Sequence, residues 1–145
     1  MPGKLRVFLD TSAILAGLNS PTGAAGVILA ACFCNDVIPV ISPQIIEEAE
    51  RNISTKFPKL GIAWPSFLLI PPEITPSPNV REVRRAYRIL STSDAPILAS
   101  AIKAKPDALV TWDIRDFVRD RVRRAVSFPI LIPGEFLTYA WGSKR

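Results

Sequence analysis

Two short apolar runs in this chain each end in an aspartate, and that pattern narrows the fold more than any other feature. Leu5-Arg6-Val7-Phe8-Leu9 stops at Asp10, and Ala108-Leu109-Val110-Thr111-Trp112 stops at Asp113. The first run is apolar on both strand faces apart from Arg6, which suits a central parallel strand covered by helices on both sides. A further run, Val37 to Ile41, carries Pro39, which removes a ladder donor and marks an edge or a bulge. Ser66 to Ile70 and Phe128 to Ile132 complete five strand candidates. Helical patterns lie between them: Ser12 to Leu18, Ala24 to Phe33, Val80 to Leu90, Asp94 to Ala104 and Pro133 to Trp141. Ser42 as N-cap and Pro43 at the first helical position start another helix, which runs to about Ile53. A loop with a short helix fills Asp113 to Val122, and Lys56 to Pro65 reads as either helix or loop. Strands alternating with helices predict an α/β fold, a three-layer α/β/α sandwich on a mainly parallel sheet of roughly five strands. The stiff stretch Pro71 to Pro78 reads as a loop inside one domain, residues 1–145, because too little chain lies on either side for two cores.

Composition removes several chemistries. The chain has no histidine, which excludes His-based acid–base catalysis, Cys–His zinc sites and Ser-His-Asp triads. Cys32 and Cys34 lie two apart on a helical pattern, so they point to different faces and read as small packing residues. The absence of a disulfide framework fits a cytoplasmic setting. Residues 1–4 lead straight into a strand without the apolar stretch of a signal peptide, and the longest apolar stretch, Ala24 to Cys34, is too short to span a bilayer. The net charge is +5. Twelve of the eighteen basic residues are arginine, the side chain best suited to phosphate. A basic surface around an acidic site suggests a polyanionic substrate; the plain alternative is a soluble basic surface.

The acids carry the functional signal. In parallel α/β sheets ligands bind beyond the carboxyl ends of the strands, where Asp10 and Asp113 stand. Asp94 opens a helical pattern and Glu48 lies on the helix after the Val37–Ile41 strand. If the four converge, their charges require a counter-ion, and a hard divalent cation held by oxygens is the simplest one. Thr11, Ser12 and Thr111 are placed to orient carboxylates or metal-bound waters, and Asp116 is an auxiliary acid. Each choice has a plainer competitor. Asp10 and Asp94 could be helix N-caps, Glu48 a solvated helix charge like Glu47 and Glu50, and Asp113 a turn residue. Trp64, Trp112 and Trp141 are packing candidates, Trp112 having the best claim to function because it adjoins an acid.

Four segments in order resemble the PIN domain, a family of metal-dependent ribonucleases that includes the toxins of many bacterial toxin–antitoxin pairs. Val7-Phe8-Leu9-Asp10-Thr11-Ser12 resembles the family's first strand and acid. Ser42-Pro43-Gln44-Ile45-Ile46-Glu47-Glu48 resembles the helix with the second acid, which Glu48 fits better than Glu47. Asp94-Ala95-Pro96-Ile97-Leu98-Ala99-Ser100-Ala101 resembles the segment with the third. Ala108-Leu109-Val110-Thr111-Trp112-Asp113-Ile114-Arg115-Asp116-Phe117 resembles the final motif. Ala95-Pro96 departs from the usual residues after the third acid, and 56–79 matches nothing specific. The resemblance implies an Mg²⁺- or Mn²⁺-dependent endoribonuclease with Asp10, Glu48, Asp94 and Asp113 as catalytic metal ligands. It also implies RNA as substrate, with Arg115, Arg119 and Arg85 as candidate RNA contacts. A protein antitoxin and a homo-oligomer, a dimer, are the expected partners. An apolar groove around Leu15 and Leu18 offers a place for such a partner or for a second copy. The competing reading is a silent PIN-like module that binds RNA or protein. Two other enzyme classes fit poorly. A haloacid-dehalogenase-like phosphatase needs a second Asp where Ser12 stands, and a receiver domain needs an acid where Ile70-Pro71-Pro72 stands.

Overall fold

In the computed structural model, residues 3–142 are described. Five parallel strands form one sheet in the order β3-β2-β1-β4-β5. They are β1 (Leu5–Leu9), β2 (Val37–Ile41), β3 (Glu73–Ile74), β4 (Ala108–Val110) and β5 (Ile130–Leu131). The helices are α1 (Thr11–Asn19), α2 (Ala24–Phe33), α3 (Pro43–Thr55), α4 (Ala63–Leu68), α5 (Val80–Ile89), α6 (Ala95–Ala104), α7 (Asp120–Ala125) and α8 (Pro133–Trp141), with a 3-10 turn at Pro58–Gly61. Helices α1, α2 and α8 pack together, α2 against β2 and α8 against β4 and β5. The β3-to-β4 crossover runs along the sheet in the opposite direction to the β1-to-β2 crossover. Right-handed connection therefore places α5 and α6 on the opposite face, which completes the three layers.

The central strands form because their side chains are apolar on both faces. Val7, Phe8 and Leu9 of β1 and Ala108, Leu109 and Val110 of β4 are all buried in one continuous core. Arg6, the one charge in β1, is drawn off to the side. Its guanidinium pairs with Glu73 and donates to the carbonyls of Ala104 and Lys105 at 3.0 and 3.1 Å, tying β1 to β3 and to the turn before β4. Pro39 causes no bulge. It stays in register opposite Val7, and its missing N–H addresses the side where Ile41 bonds to Thr75. The neighbour on that side, β3, begins only opposite Val40, so the proline costs no ladder bond.

Several expectations are corrected. Ser66 to Ile70 is not a strand; most of it belongs to α4. Trp64 and Phe67 are buried three residues apart while Leu69 is 81% exposed, the spacing of a helix face. The third strand lies instead in the proline-rich stretch that reads as a loop. Glu73 and Ile74 retain their N–H groups between prolines and add two residues to the sheet edge. Strand β4 ends at Val110 rather than Trp112. The Thr111 N–H still reaches the Leu131 carbonyl at 3.0 Å, but the Trp112 N–H turns away to Ser12 Oγ at 2.9 Å. Strand β5 keeps only Ile130–Leu131 of the expected Phe128 to Ile132, the short helix α7 runs on to Ala125, and α6 begins at Ala95 with Asp94 in the N-cap position. Cys32 packs in the core, but Cys34 is exposed; both are free thiols. Trp64 is a packing residue stacked on Phe67, with its Nε1 donating to Glu50, whereas Trp112 is 41% exposed. No single helix among the described residues is long and apolar enough to cross a membrane.

Phe117 is fully buried directly after Asp116 and anchors the loop that carries both late acids. Phe117→Ala is expected to cost about 3–5 kcal/mol of stability, through lost burial and an unfilled cavity. Chemical denaturation with a fixed m-value measures it; a change under 1 kcal/mol would mean the loop is anchored elsewhere.

Candidate metal centre

The strand order places a topological switch point between β1 and β4, because the chain leaves β1 towards β2 on one side and passes to β4 on the other. A crevice opens at such a point beyond the carboxyl ends of the strands. Asp10 and Asp113 flank it: the Asp10 N–H continues the β1–β4 ladder to the Val110 carbonyl at 3.0 Å, and Asp113 lies three residues past Val110. The result is an open cleft of about 530 Å³ lined by Asp10, Glu48, Asp94 and Asp113, with Trp112 beside them. All four acids from four separate segments therefore face one cavity. Glu48 arrives from the second turn of α3, which meets both α1 and α6.

Neither aspartate at a helix start spends its carboxylate on capping. Asp10 and Asp94 occupy the N-cap positions of α1 and α6, yet neither side chain accepts a cap hydrogen bond. Asp10 Oδ2 instead accepts from Ser12 Oγ and from Thr111 Oγ1, both at 2.8 Å. Ser12 Oγ in turn accepts from the Trp112 N–H, and Thr111 Oγ1 accepts from the Asp113 N–H at 2.9 Å. These two hydroxyls lock the start of α1 to the loop after β4. Thr11 lines the cleft too, and its Oγ1 is buried without a protein partner. Asp113 keeps part of its turn role, since its Oδ1 accepts from the Asp116 N–H at 3.0 Å.

Asp116 is placed more centrally than its sequence position suggests. Carboxylate oxygens of Asp94, Asp113 and Asp116 lie within 4.8 Å of one another. Asp10 and Glu48 stand outside that tight group but on the same cleft. Besides its place in the final motif, the local signal for Asp116 is its position three residues after Asp113, where the Asp116 N–H donates to Asp113 Oδ1 in an Asx-type turn.

The electrostatics follow from the crowding. Burial pushes the Asp94 carboxyl up, helped by Asp113, Asp116 and the charge of Asp10, to about 8. Burial also raises Asp10, against the opposing pull of the Thr111 and Ser12 hydroxyls. Among the described residues no lysine or arginine forms an ion pair with any of the five acids. Lys56 lines the same cleft but forms no ion pair with the acids, so a like-charged set of oxygen donors remains, which fits a hard divalent cation. The basic candidates lie outside the centre: Arg115, Arg119 and Arg85 are all exposed. On the apolar side of the cleft Leu15, Ala16 and Phe57 form the wall, while Leu18 packs against the core and not into the cleft.

Thr111 is fully buried and serves two acids at once. Thr111→Val keeps the shape but leaves the Asp113 N–H without its acceptor and Asp10 with only one of its two hydroxyl donors, Ser12. It is expected to cost about 1–3 kcal/mol in stability and about 10–100-fold in metal affinity. Titration of Mn²⁺ beside a melting curve separates the two losses.

Residues 6–115 match the sequence profile of the PIN domain. No curated protein matches the chain in sequence. Among solved structures it is similar to PAE2754 from Pyrobaculum aerophilum, at 16% identity and a TM-score of 0.63, over 93% of this chain and 88% of that one. It is also similar to VapBC2 from Rickettsia felis, bound to a DNA fragment from their promoter (18% identity, TM-score 0.59, 88% of this chain and 97% of that one). A third is DNA-bound VapBC from Salmonella typhimurium (14% identity, TM-score 0.60, 89% of this chain and 98% of that one). At such identities these likenesses speak for the fold alone. With the profile matched over most of its length and acids gathered at the switch point of a five-stranded parallel sheet, the chain belongs to the PIN domain family.

Proposed function

We propose that this protein is a divalent-metal-dependent endoribonuclease that hydrolyses phosphodiester bonds in RNA. The observation that carries the reading is the meeting of Asp10, Glu48, Asp94 and Asp113 on one open cleft, where Lys56 also lines the wall but no described lysine or arginine forms an ion pair with them. These four carboxylates, with Asp116 in the tight group, would hold Mg²⁺ or Mn²⁺. Such an ion supplies a water of lowered pKa and charge neutralisation at the phosphate. The protein's own part is orientation. Ser12 and Thr111 hold Asp10 in place and Thr111 also fixes the backbone of Asp113. The exposed face of Trp112 beside the acids suits a stacked base. Arg115 and Arg119, exposed on the segment that follows Asp113, are proposed to meet backbone phosphates.

A role as the toxin of a toxin–antitoxin pair belongs to the same proposal. It is supported by family membership and by the likeness to VapBC assemblies. The apolar wall of Leu15, Ala16 and Phe57 next to the acids offers a protein antitoxin a surface to cover the site. The direct test incubates purified protein with single-stranded RNA in Mg²⁺, in Mn²⁺ and in EDTA. Cleavage in either metal and none in EDTA is expected. RNA binding with no cleavage in either metal would replace the nuclease by a silent binding module. Growth arrest on expression, relieved by a neighbouring small gene product, tests the toxin role.

A further inference from the structure

Helix α5 carries four arginines along its solvent-facing side. Arg81, Arg84, Arg85 and Arg88 stand at i, i+3, i+4 and i+7, so they share one face over two turns, about 10 Å. The opposite face buries Ala86 and packs Val83 and Ile89 on the core. Like charges at these spacings destabilise a helix by a few tenths of a kcal/mol per pair. Only the place of Arg88 in the last turn and the nearby charge of Glu82 on Arg85 offset part of that cost. Among the described residues none of the four forms an ion pair, and Glu82 on the same helix is engaged by Lys103 and by the helix's own N-cap at Asn79. The four guanidinium groups instead enclose a surface cleft of about 420 Å³ lined by no other residue.

The stripe points back to the acidic centre. At its end the Arg88 carbonyl accepts from Arg121 Nη2 at 2.9 Å, which joins α5 to α7. A second small cleft continues from there, lined by Leu90, Ser91, Thr92, Arg119 and Arg121. Two residues past Thr92 the chain reaches Asp94. Arginines thus run from the rim of the acidic cleft along the length of α5. Tyr87, 53% exposed on the same helix, adds an aromatic face beside Arg84 and Arg88. Guanidinium groups with an adjacent exposed ring suit a single nucleic acid strand better than an acidic peptide.

We infer that Arg81, Arg84, Arg85 and Arg88 form a phosphate-binding track that holds the RNA strand beyond the cleavage position. This extends the ribonuclease reading, on which it rests for the identity of the strand. The track sets affinity and reach and leaves bond cleavage to the acids. A short RNA confined to the acidic cleft does not touch it.

The experiment compares wild type with the R81Q/R84Q/R85Q/R88Q variant; all four positions are exposed, so folding is retained. Binding of a labelled oligouridylate of about 20 nucleotides is followed by anisotropy against salt, in EDTA so that no cleavage occurs. Each arginine that meets a phosphate contributes about 0.7 to the slope of log affinity on log salt, so a loss of about 2 to 3 is expected, with affinity about tenfold lower or more near physiological salt. A variant with lysine at the four positions retains most of the slope. In Mn²⁺ the glutamine variant shows a KM raised by more on the RNA of about 20 nucleotides than on one of about four. An unchanged salt slope and affinity would overturn the track. So would a polyglutamate of equal charge that binds wild type as tightly as the RNA and is lost with the same variant, since α5 would then be a docking face for acidic protein. If wild type cuts neither RNA, the nuclease reading fails, and the binding slope in EDTA still decides the track.

Discussion

Asp10→Asn is expected to remove RNA cleavage, by about 10³-fold or more, while the metal-free protein melts at the same temperature or slightly higher. The expected activity loss follows from withdrawing one charged oxygen donor from the carboxylates proposed to hold the cation. The retained stability follows from the local bonds. Asn presents a carbonyl oxygen to the same two hydroxyl donors, Ser12 and Thr111. Burial raises the Asp10 carboxyl above its ordinary range, so its ionised form opposes folding at neutral pH. A neutral isostere removes that opposition. Paired cleavage assays and melting curves in EDTA test this. A variant that unfolds would show that Asp10 is structural, and one that still cuts would place the chemistry elsewhere.

Binding of Mn²⁺ near pH 7 is expected to release close to one proton per protein and to raise the melting temperature by about 8–10 °C at a metal concentration one hundred times Kd. The thermal shift corresponds to about 2.7 kcal/mol of linked stability, spread over a domain of this size. The proton comes from Asp94, pushed up to about 8 by burial and by Asp113 and Asp116, and a ligand must lose its proton to bind. Affinity therefore falls by about tenfold per pH unit below 8. The metal-free protein behaves in the opposite sense. Between the ordinary aspartate range near 4 and about 8 the folded state holds a proton that the unfolded chain has lost. The Asp94 contribution to stability is therefore fully present at low pH and declines as pH rises through that window. Asp94 is only half-buried, so residual solvent screening moderates that decline. Calorimetry in buffers of different ionisation enthalpy counts the protons, and Asp94→Asn should bring the count near zero. Equal heats in all buffers, with no thermal shift, would mean that no cation is held among these carboxylates.

Most elements could be read directly from local pattern. The run Leu5–Leu9, the helix Ala24–Phe33, the strand Val37–Ile41 and the closing helix Pro133–Trp141 have the bounds expected from periodicity and capping residues. The start of α3 follows from Ser42, whose Oγ accepts from the Ile45 N–H, and from Pro43 in the first turn. Where reading failed, local signals were ambiguous or absent. Ser66 to Ile70 is a short apolar run, a pattern that a helix face and a buried strand share. Glu73–Ile74 is too short to show any period, and only the open edge of β2 beyond Pro39 makes it a strand.

The sequence alone was enough to place acids at the carboxyl ends of two apolar strands and at the starts of the helices around them, because strand and helix propensities act within a few residues. Bringing them together depends on long-range contacts that no short window contains. The switch point between β1 and β4 exists only once the β3-to-β4 crossover has been made. Thr111 reaches Asp10 across 101 positions of sequence, and Asp116 joins Asp94 and Asp113 through a turn packed on buried Phe117. The tertiary structure decided which carboxylates share a cleft, which hydroxyls aim them and that no arginine among the described residues pairs with them, since charge-to-charge distance is a property of the packed chain and not of its order.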